Sequence, residues 1–262
     1  MAERRPRWRG GLALLLLLVG LWGGWGTVVP PGPEVPPEVC RAVQRLHWQA
    51  QALTRWEPAA ADALARSLGY SDQAAASLMC VPLSVAVLRR AGLLPPTVEP
   101  GRFWLLDPQR EPRKVQQLFP ERAFEHYTFT TPPFLFDFRQ FPLIPGDAVF
   151  LYSGALGTFS HMLAVTYVDR AGRAYGLSNL NTPHGYIVRE VLLYDPARPG
   201  VGQLARWNDP RWARLGLTGF GGWEVWRPRR WLPYADALAR GACAQPPQAA
   251  WWLAAGGPQA DE

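Results

Sequence analysis

The sequence predicts an α+β domain in which helices from the front of the chain pack on an antiparallel sheet built from its second half. Two observations carry this. Residues 37–92 hold three segments with apolar residues at three- and four-residue spacing, whereas residues 147–228 hold five short strand-like segments bounded by turn residues. With 262 residues, 48% of them apolar, the chain has enough to bury one sizeable core. No internal repeat interrupts this order.

The elements follow along the chain. Residues 1–29 place Arg4, Arg5, Arg7 and Arg9 before an uncharged run whose most apolar part is Leu12 to Leu21, with Trp22 and Trp25 beyond it. Such a segment is a signal anchor or a signal peptide, and either one puts the rest of the chain in an extracytoplasmic location, membrane-anchored or secreted. "PPGPEVPP", residues 30–37, is a stiff Pro-rich spacer. Helices are expected over residues 37–55, over 58–68 with Gly69 as the stop, and from Cys80 to the residues before Gly92. Residues 94–145 are Pro-rich and irregular. The strand candidates are "DAVFLYS", "HMLAVTYV", "RAYGLSN", "YIVREVLLY" and "GWEVWRP", with "DRAG" at 169–172 closing a tight hairpin between the second and third. The folded domain spans residues 38–232, and 233–262 form a C-terminal extension with a low-complexity tail.

The net charge of +6 is carried by arginine, with Lys114 the only lysine. Beyond the N-terminus no basic stripe interleaved with aromatics appears, so the excess speaks for membrane topology and not for a nucleic-acid partner. No H-E-x-x-H, no C-x-x-C and no glycine-rich phosphate loop after a strand is present, so neither a metal nor a cofactor is expected.

Three cysteines remain to be assigned. An oxidising compartment permits a bond between Cys40 and Cys243, which would tie the two ends of the domain together and leave Cys80 as the odd thiol. In a reducing one all three would be thiols.

Cys80 sits in "SLMCVPLSVAVLRRAG", residues 77–92, at the start of a helix with Pro82 in its first turn and Arg89 and Arg90 before Gly92. The positive end of a helix favours thiolate over thiol, which makes a nucleophile. The competing reading is a small core residue packed with Leu78, Leu83 and Val87. Among the histidines, His47 falls on the outer face of the first helix, His126 in the irregular region and His184 in a loop. His161 opens the apolar strand "HMLAVTYV". If "DRAG" closes the hairpin, "SNLN" returns Asn179 and Asn181 beside His161, where an amide oxygen would hold the ring. The backbone N–H of Cys80 and the side chain of Gln73 are the candidate oxyanion donors.

A resemblance appears at these residues. Cys80 on a helix, "PGD" (Pro145, Gly146, Asp147) leading into a strand, "SHM" opening an apolar strand and a hairpin with a polar end together resemble the papain-like superfamily of bacterial cell-wall hydrolases, the NlpC-type and CHAP families. The likeness covers roughly residues 60–195. "MCVPLS" is similar to the "CGP-x-S" opening of bacteriocin-leader peptidases, with Val81 in place of the glycine, and it lacks the "D-C-S-G" usual in NlpC-type enzymes. The resemblance implies a papain-like fold and a thiol-dependent hydrolase of amide bonds in peptidoglycan stem peptides or another envelope peptide, through Cys80, His161 and Asn179 or Asn181. A non-catalytic envelope scaffold of the same fold and a cysteine acyltransferase are the alternatives. Trp207, Trp212, Trp223, Trp226 and Trp231 either floor a ligand groove or fill the core.

Overall fold

The computed structural model describes residues 33–69, 75–152, 161–206 and 221–244. The chain divides into two units, residues 1–32 and 33–262, and only the second contains described residues. Residues 1–29, expected to be a signal segment, and Gln73, Trp207, Trp212 and the tail past Ala244 therefore lie outside the description. No helix among the described residues is long and apolar enough to cross a membrane.

Pro36 is extended at φ −60° and ψ 145°, which delivers the end of the spacer directly to helix α1 (Pro37–Leu53). Its buried residues Val39, Ala42, Val43, Leu46, Ala50 and Leu53 repeat at helical spacing and form one stripe. Helix α2 (Pro58–Ser67) buries Ala61, Leu64 and Ala65 in the same way. Helix α3 (Cys80–Arg90) differs, since every residue from Val81 to Leu88 is buried, which is the pattern of a helix enclosed on all sides. It ends where Gly92 turns to φ 77° and the Leu93 N–H reaches the Leu88 carbonyl at 2.9 Å.

Six strands form one antiparallel sheet: β1 (Phe124–Phe129), β2 (Ala148–Leu151), β3 (His161–Val168), β4 (Ala174–Thr182), β5 (Gly185–Tyr194) and β6 (Trp223–Pro228). Their spatial order is β1-β6-β2-β3-β4-β5. The α+β class is thus as the sequence predicts, with one strand more. Strand β1 lies inside the stretch expected to be irregular, as does helix α4 (Pro112–Leu118).

Both faces of the sheet are covered, which is why β2 and β3 read as nearly unbroken apolar runs. Ala148, Phe150, Met162, Ala164, Leu177, Val188 and Trp226 face the helices. Val149, Leu151, Leu163, Val165, Trp223 and Val225 face a second core shared with Phe138 and Leu143. The Pro-rich region therefore serves both sides, with Phe103 and Val115 in the first core and Phe138 in the second. Trp223, Trp226 and Trp231 are buried, so these three fill core.

The "PGD" turn is a clamp. Asp147 is fully buried and takes two bonds from Arg227 on β6, at 2.9 and 2.7 Å, and a third from the Ile144 N–H at 2.9 Å. Arg227 lies under the Phe141 ring at 4.4 Å. Gly146, at φ 89°, passes so near Trp231 that a Cβ would stand 2.4 Å from the indole. Past β6, a 3-10 turn at Arg229–Tyr234 and the short helix Ala235–Ala239 lead to Cys243, which is bonded to Cys40 of α1. The two ends of the unit are thereby joined, and Cys80 is the free cysteine.

Candidate active site

The segment before α3 is pinned from two sides. The Ala76 N–H donates to Asp62 of α2 at 2.8 Å, and Asn179 of β4 donates through Nδ2 to the carbonyls of Ala76 at 2.7 Å and Ser77 at 3.3 Å. Cys80 then takes the first position of α3, and Pro82 has no N–H to leave unpaired. The N–H groups of Cys80 and Val81 lie near the sulfur and favour its thiolate, as does a third from the Met162 backbone on β3.

That third donor is available because the sheet opens at this point. Strands β3 and β4 pair from Ala164↔Leu177 onward in the direction of the hairpin, and the ladder does not continue to Met162. The start of helix α3 faces the opening. Ser84 Oγ meets the Met162 carbonyl at 3.3 Å and the Cys80 carbonyl at 2.9 Å, while the Met162 N–H lies near the thiol.

The pairing Leu151↔His161 puts the His161 ring on the Leu151 and Leu163 side of the sheet, opposite Met162. Sulfur and ring thus reach β3 at adjacent residues from its two sides. His161 is buried, with Nε2 3.0 Å from Ser178 Oγ. Ser178 Oγ also lies 3.3 Å from the Asn179 carbonyl, so the hydroxyl links the ring to the β4 backbone.

The side chain at Nε2 is Ser178, where the sequence reading looks to Asn179 or Asn181. A β-bulge is the reason. Near the turn the partners are Val168↔Ala174 and Tyr167↔Tyr175, but the register shifts by one between Val165 and Tyr167, giving Val165↔Gly176 and Ala164↔Leu177. Without the bulge His161 would face Asn181; with it, Ser178 shares the histidine's face and Asn179 turns to the helix side. Asn181 is exposed and pairs with Tyr186. Asn179 is buried, and its Oδ1 has no partner among the described residues. No sequence signal marks the bulge.

Electrostatics departs from the sequence expectation as well. Burial pushes the Cys80 thiol above its ordinary value, outweighing the N–H groups of Met162, Val81 and Cys80 that favour thiolate. Burial also pulls His161 down to about 4. At neutral pH the resting pair is a thiol and a neutral imidazole.

Two of the other histidines, His47 and His126, are engaged elsewhere. His47 is half-buried and not on an outer face, its Nδ1 3.1 Å from Glu190 of β5, which also receives Gln51 Nε2 at 2.9 Å and the Thr166 hydroxyl. His126 on β1 bonds Glu224 at 3.0 Å and stacks on Trp226. No group of three His, Cys, Asp or Glu among the described residues gathers to hold a metal. No protein-family model, no curated protein and no solved structure matches the chain.

Proposed function

We propose that the domain is a papain-like thiol hydrolase of amide bonds whose substrate is a peptide of the cell envelope, most simply a peptidoglycan stem peptide. The observation that carries this reading is the meeting of a helix-initial cysteine with the start of the histidine-led strand, at the one place where β3 leaves β4. Substrate binding in that opening brings a carbonyl carbon to the sulfur. The thiol proton passes across the opening to the His161 ring, the sulfur bonds to the carbonyl carbon, and the Cys80 N–H steadies the oxyanion. The C–N bond breaks as the imidazolium returns its proton to the leaving amine. Water then attacks the thioester, giving up its proton to His161, and the carboxylic acid leaves as the thiol re-forms. Ser178 holds the ring through its contact with Nε2.

The Cys40–Cys243 bond supports an oxidising, extracytoplasmic setting. Anchoring through residues 1–29 belongs to the same reading. With an amine in place of water the same site would be an acyltransferase.

A second reading has its own observations. A thiol raised by burial, an imidazole lowered by burial and a ring on the far side of β3 also describe a non-catalytic scaffold that keeps both groups as core. Thiol-dependent release of amines from envelope peptides, abolished in Cys80→Ala, separates the two.

A further inference from the structure

At the opposite end of α3 from Cys80, a cleft of about 450 Å³ opens between the start of α1, the end of α3 and the turn after β6. Its floor is apolar, made by Val39, Ala42, Ala91 and the Trp231 ring. Two arginines stand over that floor. Arg45 comes from the exposed face of α1, and Arg230 follows β6, its Nη2 held 3.2 Å from the Gly92 carbonyl and its guanidinium 5.7 Å from the Trp231 ring.

We propose that this cleft binds a phosphomonoester, with the phosphate between Arg45 and Arg230 and an apolar or sugar body on the Trp231 floor. The guanidiniums repel one another, and Arg230 is pulled below its ordinary value by burial and by the charge of Arg45. Among the described residues Arg45 has no acidic partner at ion-pair distance, and the carboxylate that lines the cleft, Glu38, is engaged with neither arginine. A dianion relieves the repulsion fully, whereas one carboxylate neutralises only half of it. Arginine also suits phosphate geometrically, because its planar fork offers paired N–H groups. The Gly92 carbonyl fixes the Arg230 fork before any ligand arrives, which reduces the ordering cost of binding. The volume exceeds what inorganic phosphate needs and falls in the range of small-molecule sites. The site is separate from Cys80 and does not depend on the hydrolase reading.

The same headgroup chemistry is carried by a soluble sugar phosphate and by a phosphatidate-type lipid, and the test has an arm for each. The purified full chain would be titrated calorimetrically with glucose 6-phosphate and with glucose, and sedimented with phosphatidylcholine vesicles with and without phosphatidic acid. Binding of glucose 6-phosphate but not glucose, weakened about ten-fold or more in Arg45→Gln and in Arg230→Gln, supports the proposal with a soluble ligand. Sedimentation that rises with phosphatidic acid and falls in Arg45→Gln supports it with a lipid source. Among the described residues Arg45 makes no side-chain hydrogen bond, so its variant keeps the experiment readable if Arg230→Gln unfolds. Absence of binding in both arms, or binding that Arg45→Gln leaves unchanged, overturns it.

Discussion

His161 Nε2 and Ser178 Oγ lie 3.0 Å apart across the opening between β3 and β4, and this bond exists because a bulge moves β4 by one residue. Ser178→Ala is expected to slow amide hydrolysis about ten-fold with little change in KM, since one orienting hydrogen bond contributes about 1.4 kcal/mol to the barrier. Asn181→Ala should change neither rate nor stability. Initial-rate kinetics on the purified variants decides between Ser178 and the asparagines.

Asn179 has a different task, holding the Ala76 and Ser77 carbonyls in front of Cys80. Asn179→Ala leaves those buried acceptors short of a donor and should cost about 1–3 kcal/mol in urea unfolding. Any loss of activity should accompany mobility of the Cys80 segment, read as faster amide exchange at Ala76 to Val81.

Acid should unfold the domain partly through His161. Its folded pKa of about 4 lies below the ordinary 6.5, so the unfolded chain takes up this proton first. The stability it contributes is complete above about pH 6.5 and is lost as pH falls toward 4, about 3 kcal/mol in all. His47 runs the other way, because Glu190 raises it against burial, so its contribution is present below 6.5 and lost as pH rises through its folded value. Chemical denaturation of wild type and His161→Gln between pH 7.5 and 4.5 isolates the first effect: the variant should show the flatter acid limb.

Much of this architecture was legible in the sequence, and the exceptions share a physical cause. The three N-terminal helices show because each buries a stripe or the whole of itself, and the β3–β4 hairpin shows because Asp169 closes its turn by accepting the Ala171 and Arg173 N–H groups. Strand β1 does not show, because it is an edge strand with one buried residue, Phe124, and no clean alternation. The site was half legible. Cys80 and His161 are marked by residue type and by their places at element starts. Ser178 is set by a bulge that no local residue announces, and the thiol's direction of shift is set by tertiary burial, which overrides the helix-end effect.

The clamp of Asp147 by Arg227 is expected to be among the most sensitive points of the fold. Both groups are buried, so Arg227→Met strands a carboxylate and should cost about 3–5 kcal/mol, whereas replacing both partners with apolar residues should cost less. A double-mutant cycle by urea unfolding measures the coupling.

The central claim is that Cys80 and His161 act as nucleophile and base across the opening beside Met162. The most direct measurement is the release of amino groups from purified peptidoglycan by the full chain, compared with Cys80→Ala and His161→Ala. The account predicts turnover in the wild type and its loss in each variant, since members of one catalytic unit are not additive. A folded wild type without thiol-dependent turnover on any envelope peptide, or a Cys80→Ala variant as active as the wild type, would contradict it.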